Sequence, residues 1–391
     1  MTKVNVTGLG VVTALGISAK HHFNQLRSGV CGISQYQWDE QFLFAGKVHF
    51  TNRQLSSLSG VDFSPYTSRT ALLGLLASKE AFGDLKADSR YPLSFINGTT
   101  VGGMDLSETY FAAKRKGQAA DPSLLSMHDL GANTSFIAGN LGEFGCVNTI
   151  STACSSAANA IMLGAQLIRS GKSHRVLVGG TDALCKFTIE GFKSLMIYDS
   201  HLCQPFDANR RGLNLGEGAA YLLLESEQSI AASGNQVLAE LSGWANRNDA
   251  FHNTGTSPDG IGAQKAMLAA LEVASLRLNE ISYINAHGTG TANNDSSELS
   301  AMHSVFGDEL PAFSSTKGAT GHTLAASGAI KAVFSVESLI HNCTFGNSNL
   351  SDPMTSSASL QRKSNSMDMR HVMSNSFGFG GNSTSLIFSK V

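Results

Sequence analysis

Apolar strand-like runs alternate with helix-like patterns along the whole chain, and this alternation restricts the fold more than any other feature of the sequence. A first helix is predicted at 18–28, with Ser18 as its N-cap and Gly29 as its end. The other predicted helices cover 155–170, 261–276 and 324–341. Strands are predicted at 4–6, 147–150, 176–178, 219–224, 238–241, 281–285 and 385–389. Such an alternation predicts an α/β protein of layered sheets and helices.

The composition is that of a globular protein with a large core. Of the 391 residues, 42% are hydrophobic and 15% are charged, and the formal net charge is −2. Because the chain has no basic field, no run of like charges and no zinc-finger spacing, we expect no nucleic-acid partner. The first residues do not resemble a signal peptide, and no stretch reaches the roughly 18 uncharged apolar residues that a membrane-spanning helix needs.

The six cysteines are scattered and form no CxxC pair. In a chain of this size, that pattern is typical of reduced thiols and not of a disulfide framework. The sequence therefore predicts a cytoplasmic protein.

No low-complexity linker divides the chain, and the polar segment 355–369 is predicted to be a surface loop. A strand followed by a long loop begins again near residue 238, so we predict two domains, 1–240 and 241–391. Gly8 and Gly10 come after the first strand, as in a dinucleotide-binding loop. The third glycine and the later acidic residue of that motif are absent from their positions, so a tight turn is predicted there.

Cys154 lies where a strand turns sharply into a helix. Small or apolar residues recur along 157–168 at helical spacing, and Gly171 ends the helix. The thiol would then lie at a helix N-terminus, where unpaired N–H groups and the helix dipole favour thiolate over thiol. A small structural cysteine is the alternative that the local sequence leaves open.

Two histidines have a setting that suits catalysis. His287 comes just after a predicted strand and leads into a loop of small residues, in which Thr289 and Thr291 can donate hydroxyl groups to a ligand. His322 precedes a predicted helix. Because a helix N-terminus disfavours imidazolium, His322 is expected to stay neutral and to donate an N–H group.

The segment 375–382 reads NSFGFGGN and comes directly before the last predicted strand. A phosphate-binding loop would lead into a helix instead, so this segment is interpreted as a turn whose backbone approaches the active site. Phe377 and Phe379 would form apolar walls or a gate. A hairpin turn with core aromatics explains the segment equally well.

Taken together, these segments resemble the β-ketoacyl–acyl carrier protein synthases, which are condensing enzymes of the thiolase superfamily. The resemblance covers essentially the whole chain, with the family's motifs in the family's order. Those motifs are VTGLGVVTALG, TACSSAANA, PFDANRRGLNLGEG, NAHGTGT, NDSSE, STKGATGH and NSFGFGG. The resemblance implies a five-layered αβαβα fold that arose by duplication.

The resemblance also implies roles for individual residues. Cys154, His287 and His322 would form the catalytic triad, Lys317 would be the active-site lysine, and Glu298 would be the buried acid beneath the site.

Further roles follow from the same resemblance. Thr289 and Thr291 would hold a phosphopantetheine arm, and the backbone N–H groups of Cys154 and Phe379 would form the oxyanion hole. Cys154 would take an acyl chain from a carrier-protein thioester, and malonyl–carrier protein would then extend that chain, without a metal or nucleotide cofactor.

Partners and pathway are expectations of the same kind. The family implies an acyl carrier protein and a dimer, formed either with a second copy or with a chain-length-factor-like subunit. The stretch 179–196 is similar to ketosynthases of aryl-polyene pathways. Arg69 matches a docking position only loosely, and a surface helix arginine is the preferred interpretation.

Three alternatives to a condensing enzyme differ from it in the residues or the acyl acceptor that they need. A non-catalytic chain-length factor would lack the nucleophile, which is present here as Cys154. A thiolase would need a second cysteine near Phe377–Gly381, and that segment has none. A cysteine hydrolase would pass the acyl group to water. One departure from the family pattern, Asn382–Ser383 in place of the more frequent Thr-Asn, leaves the pocket floor open.

Overall fold

The computed structural model describes residues 2–38, 41–83 and 90–391. Within these ranges strands and helices alternate, as the sequence predicts. The strands are β1 (Asn5–Thr13), β2 (Gly16–Ile17), β3 (Ser34–Trp38), β4 (Gln41–Ala45), β5 (Leu93–Gly98), β6 (Cys146–Ile150), β7 (Arg175–Asp182), β8 (Gly218–Glu225), β9 (Ala239–Asn248), β10 (Tyr283–Asn285), β11 (Ala312–Ser314), β12 (Cys343–Thr344), β13 (Asn365–Ser366), β14 (His371–Gly378) and β15 (Asn382–Ser389).

The α-helices enclose these strands. They are α1 (Ala19–Arg27), α2 (Asn52–Leu58), α3 (Arg69–Phe82), α4 (Met104–Arg115), α5 (Leu130–Gly139), α6 (Ser156–Arg169), α7 (Lys186–Ser194), α8 (Glu227–Ser233), α9 (Ile261–Ala274), α10 (Ala292–Phe306), α11 (Lys317–Thr320) and α12 (Ser327–His341). Short 3₁₀ turns lie at Pro122–Leu125, Leu278–Glu280, Leu324–Ala326 and Phe379–Gly381.

One large sheet runs through the molecule in the order β11-β10-β14-β15-β9-β1-β8-β7-β5-β6, with β2 beside β1. Its two halves have the same topology. The five main strands of the first half are β6-β5-β7-β8-β1, and those of the second half are β11-β10-β14-β15-β9, each given from the outer edge inward. Numbered by their order along the chain, both sets read 3-2-4-5-1. In each half the first three of these are mutually parallel, and the last two are antiparallel to their neighbours.

The halves join where β1 pairs briefly with β9. A repeated topology is what duplication of one α/β unit produces. The predicted domain boundary at residue 240 falls within β9, where the second repeat begins, and the division into 1–240 and 241–391 stays a prediction.

Helices cover both faces of each half. α6 and α12 pack against each other between the two half-sheets, α3 and α5 cover the outer face of the first half, and α9 and α10 cover the second. This gives the expected αβαβα order of five layers. The central helices approach closely, because a Cβ atom on Gly328 would lie 2.6 Å from the backbone nitrogen of Ala158.

The predicted turn at Gly8 and Gly10 is wrong, since both glycines lie inside β1. A Cβ atom on Gly8 would lie 2.1 Å from the carbonyl oxygen of Ala81, and one on Gly10 would lie 2.0 Å from that of Ala77. The glycines therefore let α3 pack onto the strand, and they form no loop that could cradle a phosphate.

The other predicted elements are present with shifted ends. Ser18 is the N-cap of α1 and accepts a hydrogen bond from the backbone N–H of His21. The helix predicted from residue 324 begins as a 3₁₀ turn and becomes α-helical at Ser327. The segment 355–369 has little regular structure apart from β13, as expected for a surface loop.

The helical segment Leu324–His341 is long and apolar enough to meet the length and composition criteria for a membrane span. The sequence analysis did not single it out for this property. It is 89% buried inside the protein, between the two half-sheets, and it is the only such segment in the described ranges. Burial of this kind is typical of a core helix.

Candidate active site

Cys154 lies in a tight turn between β6 and α6. The preceding residue, Ala153, has a φ of 51°, a left-handed conformation that is rare for a residue with a side chain. The Ser156 hydroxyl stabilises this turn, since it accepts from the N–H of Thr152 at 2.8 Å and donates to the carbonyl of Ala153 at 2.6 Å. Strain held in place by its surroundings is typical of a functional site.

The thiol of Cys154 is buried, with a relative exposure of 6%. Burial raises its pKa to about 11, and nearby Asp182 raises it further, while Lys317 and the N–H groups of Phe379 and Cys154 lower it. The prediction of a favoured thiolate is therefore wrong. The helix N-terminus is present, but desolvation of the charged form outweighs it.

The rings of His287 and His322 lie beside this thiol in one cavity. Their centroids are 5.6 Å apart and their planes are nearly perpendicular. Burial lowers the pKa of both well below the usual value, and the positive charges of Lys317 and Lys331 lower it further. The expected neutral His322 agrees with this, although the main cause is burial and not a helix N-terminus.

Hydrogen bonds define the tautomer of His322. Its Nδ1 accepts the backbone N–H of Leu324 at 3.0 Å, so the proton of the neutral ring is on Nε2. The backbone of His322 is held by the segment 214–216, since its N–H donates to the carbonyl of Asn214 and its carbonyl accepts from Gly216. The motif PFDANRRGLNLGEG, which covers residues 205–218, therefore positions His322, which is distant from it in sequence.

His287 is held in a similar way by Lys317. The Lys317 ammonium donates to the carbonyl of His287 and lies 3.3 Å from its Nδ1, which leaves Nε2 of a neutral ring as the N–H donor. Burial lowers the pKa of Lys317 to about 8, against the opposing effects of Glu298 and Cys154. Both imidazoles can therefore present an Nε2–H group to a bound molecule.

Glu298 lies on α10 and is fully buried beneath the site. Its carboxylate accepts the backbone N–H groups of His287 and Gly288, both at 2.8 Å. Asn375 adds a third hydrogen bond at 3.3 Å. The position expected from the resemblance, beneath the histidine loop, is thus the observed one.

Thr289 and Thr291 line the mouth of the cavity, and their hydroxyl oxygens are 2.8 Å apart. Asp295 shapes this loop by accepting the N–H groups of Thr289 at 2.9 Å and Gly290 at 3.2 Å. The same carboxylate accepts the N–H of Phe206 at 2.8 Å, which joins the loop to the 205–218 motif. Two hydroxyl groups therefore face the cavity from a fixed backbone.

The segment 375–382 is a turn only in part, because β14 continues to Gly378. A Cβ atom on Gly378 would lie 2.9 Å from the carbonyl of Thr152 and 3.2 Å from the nitrogen of Cys154. The backbone thus approaches the nucleophile, as expected. After the turn, Asn382 accepts hydrogen bonds from Ser155 at 2.6 Å and from two asparagines, and so ties the turn to the start of α6.

Phe377 and Phe379 both line the cavity. Phe377 is buried, with its ring 5.4 Å from that of His287. Phe379 stacks on Phe192 of α7 with centroids 5.6 Å apart and an angle of 20° between the planes. The sequence analysis missed Phe192, since nothing in α7 marks it apart from ordinary amphipathic spacing.

The cavity has a volume of about 440 Å³. Aromatic and aliphatic side chains line it together with thiol, imidazole, hydroxyl, amide and guanidinium groups. Its lining comprises Cys154, Phe192, Met196, Ile197, Arg211, Leu213, His252, Thr254, Gly255, Thr256, His287, Thr289, Thr291, Ala292, Asn293, Asn294, His322, Phe377, Gly378 and Phe379. An apolar pocket with a few convergent polar groups suits a ligand with an apolar part and a polar part.

Two further charged residues near the site were missed. Asp182 ends β7 and accepts hydrogen bonds from Thr99, Thr100, Val101 and Ala325. Its position at a strand end was a signal that could have found it. Lys331 lies in the middle of α12, and a single lysine in a helix gives no such signal.

The interpretation of Arg69 as a surface arginine is wrong. Its side chain is 11% exposed and forms an ion pair at 2.6 Å with fully buried Glu217. It also donates to the carbonyls of Val48 and Phe50 and to the Asn52 amide. These contacts tie the start of α3 to the 205–218 motif and leave no free guanidinium for docking.

Comparisons with known proteins agree with this geometry. Residues 1–229 match the beta-ketoacyl synthase N-terminal domain, and residues 238–351 match the beta-ketoacyl synthase C-terminal domain. The chain is 32% identical to a 3-oxoacyl-[acyl-carrier-protein] synthase 2 of Synechocystis sp., over 99% of this chain and 98% of that protein.

Solved structures give the same result. A ketosynthase from Xenorhabdus doucetiae, in complex with its chain length factor, is 30% identical with a TM-score of 0.88, over 100% of this chain and 98% of that one. A beta-ketoacyl synthase from Burkholderia phymatum has the same identity and TM-score, over the full length of both chains. The expected thiolase-like fold is therefore confirmed. The chain belongs to the β-ketoacyl synthase family and is a condensing enzyme that forms carbon–carbon bonds by acyl transfer.

Proposed function

We propose that the chain catalyses a decarboxylative Claisen condensation, in which an acyl thioester on Cys154 is extended by two carbons from malonyl–acyl carrier protein. One observation carries the proposal. A buried thiol, two neutral imidazoles with free Nε2–H groups and two backbone N–H groups surround a single cavity.

In the first half-reaction, the sulfur of Cys154 attacks the carbonyl carbon of an acyl–carrier protein thioester. The new S–C bond forms, the pantetheine S–C bond breaks, and the proton lost by the Cys154 thiol ends on the pantetheine thiol. The N–H groups of Cys154 and Phe379 are the donors proposed for the oxyanion, since both act on the pKa of this sulfur and so lie close to it.

In the second half-reaction, malonyl–carrier protein loses CO₂, and the electron pair of the broken C–C bond forms an enolate. The Nε2–H groups of His287 and His322 would stabilise its oxygen, and neutral rings are suited to this because they donate without first losing charge. The enolate carbon then attacks the Cys154 thioester. A C–C bond forms, the Cys154 sulfur leaves, and it regains a proton from solvent.

The reaction so written would need no metal or nucleotide. Lys317 and Glu298 would position His287, and Thr289 and Thr291 would hold the amides of the pantetheine arm at the mouth of the cavity. An acyl carrier protein is the proposed carrier, and exposed Arg211 at the rim could meet its acidic surface.

We propose that the chain works as a dimer. Strand β6 pairs with β5 on one side and forms the edge of the large sheet within the described residues. The side chain of Val147, in this strand, is 43% exposed. An uncovered edge strand is suited to pairing with a second chain. That chain would be another copy or a chain-length-factor-like subunit, and native mass spectrometry of the protein expressed alone and with such a subunit decides between them.

The pathway proposed is fatty acid, aryl-polyene or polyketide chain elongation in the cytoplasm. The similarity of 179–196 to ketosynthases of aryl-polyene pathways supports the aryl-polyene part, and this stretch contributes Phe192 to the lining of the cavity. The free thiol state of all six cysteines supports the location. Comparing conjugated aryl-polyene and saturated acyl–carrier proteins of equal chain length as primers tests the substrate class.

Loading of the thiol tests the condensing function itself. The protein is incubated with acyl–carrier protein, and its intact mass is measured for the wild type, Cys154→Ala and Cys343→Ala, a buried cysteine outside the cavity. We expect an acyl adduct on the wild type and Cys343→Ala but not on Cys154→Ala. A wild type that gains no acyl mass contradicts the proposal.

The product formed after malonyl–carrier protein is added separates the alternatives. A chain longer by two carbons supports condensation, whereas free acid indicates a hydrolase. A chain-length-factor subunit would do neither. The presence of Cys154, His287 and His322 in one cavity argues against that reading.

A further inference from the structure

Lys331 is a buried charged residue for which the proposed reaction has no step. It lies in α12 between the half-sheets, with a relative exposure of 2%. Its ammonium lies 3.2 Å from the carbonyl oxygen of Ala286 and 3.4 Å from that of Asn285. An ammonium taken out of water is costly unless charged or polar groups compensate it.

The two carbonyls belong to the segment that carries His287. Glu298 accepts the next two N–H groups of the same segment, those of His287 and Gly288. Lys317 donates to the carbonyl of His287. Residues 285–288 are therefore held by three buried charged side chains, from α10, α11 and α12.

The charges also act on one another. The titratable groups that affect Lys331 are Lys317 and Glu298, and the groups that it affects are Glu298, His287 and His322. Burial and Lys317 lower the pKa of Lys331 well below its usual value, and Glu298 opposes them. Burial and Lys317 lower the pKa of both catalytic imidazoles, and the positive charge of Lys331 lowers it further.

We propose that Lys331 is a positioning residue for the condensation: together with Glu298 it fixes the backbone of residues 285–288, and so aims the Nε2–H group of His287 at the enolate oxygen. This role rests on the proposed function. Lys331 itself does not line the cavity, and in this positioning role it acts through His287.

Substitution of Lys331 by methionine, which keeps most of the length and removes the charge, tests the proposal. Two half-reactions are measured: acylation of Cys154 by intact mass, and decarboxylation of malonyl–carrier protein. For Lys331→Met we expect decarboxylation to slow by about tenfold or more, with acylation changed by less than about threefold. Val336→Ala, a buried change on the same helix, should leave this ratio unaltered.

The pH dependence of the decarboxylation rate is a second measurement, and a change in packing alone would not shift it. Loss of the Lys331 charge raises the pKa of His287 towards its usual value. The acid limb of the decarboxylation rate should therefore move to higher pH in Lys331→Met and stay in place in Val336→Ala. An unshifted limb together with an unaltered rate of decarboxylation overturns the proposal.

The double variant Glu298→Gln/Lys331→Met covers the case in which Lys331→Met fails to fold because Glu298 is left uncompensated. Removing both charges should restore stability relative to the single variant, while decarboxylation stays slow because neither group holds the loop. If the double variant decarboxylates at the wild-type rate, Lys331 serves only to neutralise Glu298, and the positioning role is wrong.

A measurement without substrate separates this inference from the condensing function. The protein is labelled with ¹³C at histidine Cε1, and His287 is assigned by its loss in His287→Gln. Its NMR titration should move to higher pH in Lys331→Met, whatever reaction the enzyme performs. An unchanged titration contradicts the inference even if condensation is demonstrated, and absence of condensation contradicts the proposed function alone.

Discussion

The ring of His287 stands nearly perpendicular to that of His322, with 5.6 Å between the centroids. Each ring has its Nδ1 atom occupied by the protein, by Lys317 in one case and by the N–H of Leu324 in the other. Both Nε2–H groups are therefore free for one shared acceptor. This arrangement suits an enolate oxygen, which accepts two hydrogen bonds, better than it suits a base that must receive a proton.

His322→Ala should impair malonyl decarboxylation more than acylation of Cys154. The change removes one of two donors to the enolate, and loss of one preorganised donor costs about 3–4 kcal/mol of barrier, or roughly 10²–10³ in rate. Mass spectrometry of malonyl–carrier protein and of the acyl-enzyme measures the two steps separately. Equal losses in both half-reactions refute the role assigned to His322.

Alkylation of Cys154 should depend on pH in a particular way. Since burial raises the pKa of this thiol to about 11, its thiolate fraction, and so its rate with iodoacetamide, should still be rising at pH 10. Peptide mapping after timed alkylation gives the rate, with exposed Cys146 in the same sample as an internal control. A plateau near neutral pH would mean that Cys154 is already a thiolate at neutral pH.

Arg69→Met should destabilise the fold strongly. The substitution leaves Glu217 fully buried without its cation, and breaking one side of a buried pair typically costs about 3–5 kcal/mol. The midpoint of urea unfolding measures the change. The control is Arg277→Met, which breaks an exposed pair with Glu280 and should leave the midpoint unchanged. Similar midpoints for both variants would show that Arg69 and Glu217 are not coupled.

Phe192→Ala should weaken the protection of the acyl-enzyme from water. The change removes the stacking partner of Phe379 and opens the apolar wall beside Cys154, and such aromatic pairs contribute about 0.5–1.5 kcal/mol beyond their buried area. We expect less elongated product and more free acid. Phe187→Ala, on the same helix but 67% exposed, should behave as the wild type. An unchanged ratio of acid to product contradicts the role of this wall.

The sequence by itself determined the order of strands and helices, the sharp turn at Cys154 and the histidines at loop positions. These features depend on local patterns: apolar periodicity, glycine positions and capping residues such as Ser18. The motifs were also local, and their order along the chain was enough to identify the family. Both histidines were identified for the same reason, since each lies at a transition between secondary-structure elements that the sequence pattern predicts.

Only the tertiary structure determined the charge states of the site residues and the contacts that hold those residues in place. The pKa of Cys154 depends on how completely other segments cover the thiol, and this reverses the expectation from its helix N-terminus. Gly8 and Gly10 lie in a strand because β1 pairs with β8 through these residues, and Arg69 is buried because Glu217 reaches it from a distant segment. Phe192 and Lys331 enter the site only through folding. Desolvation and long-range pairing arise from which parts of the chain meet, and a local pattern contains no information about that.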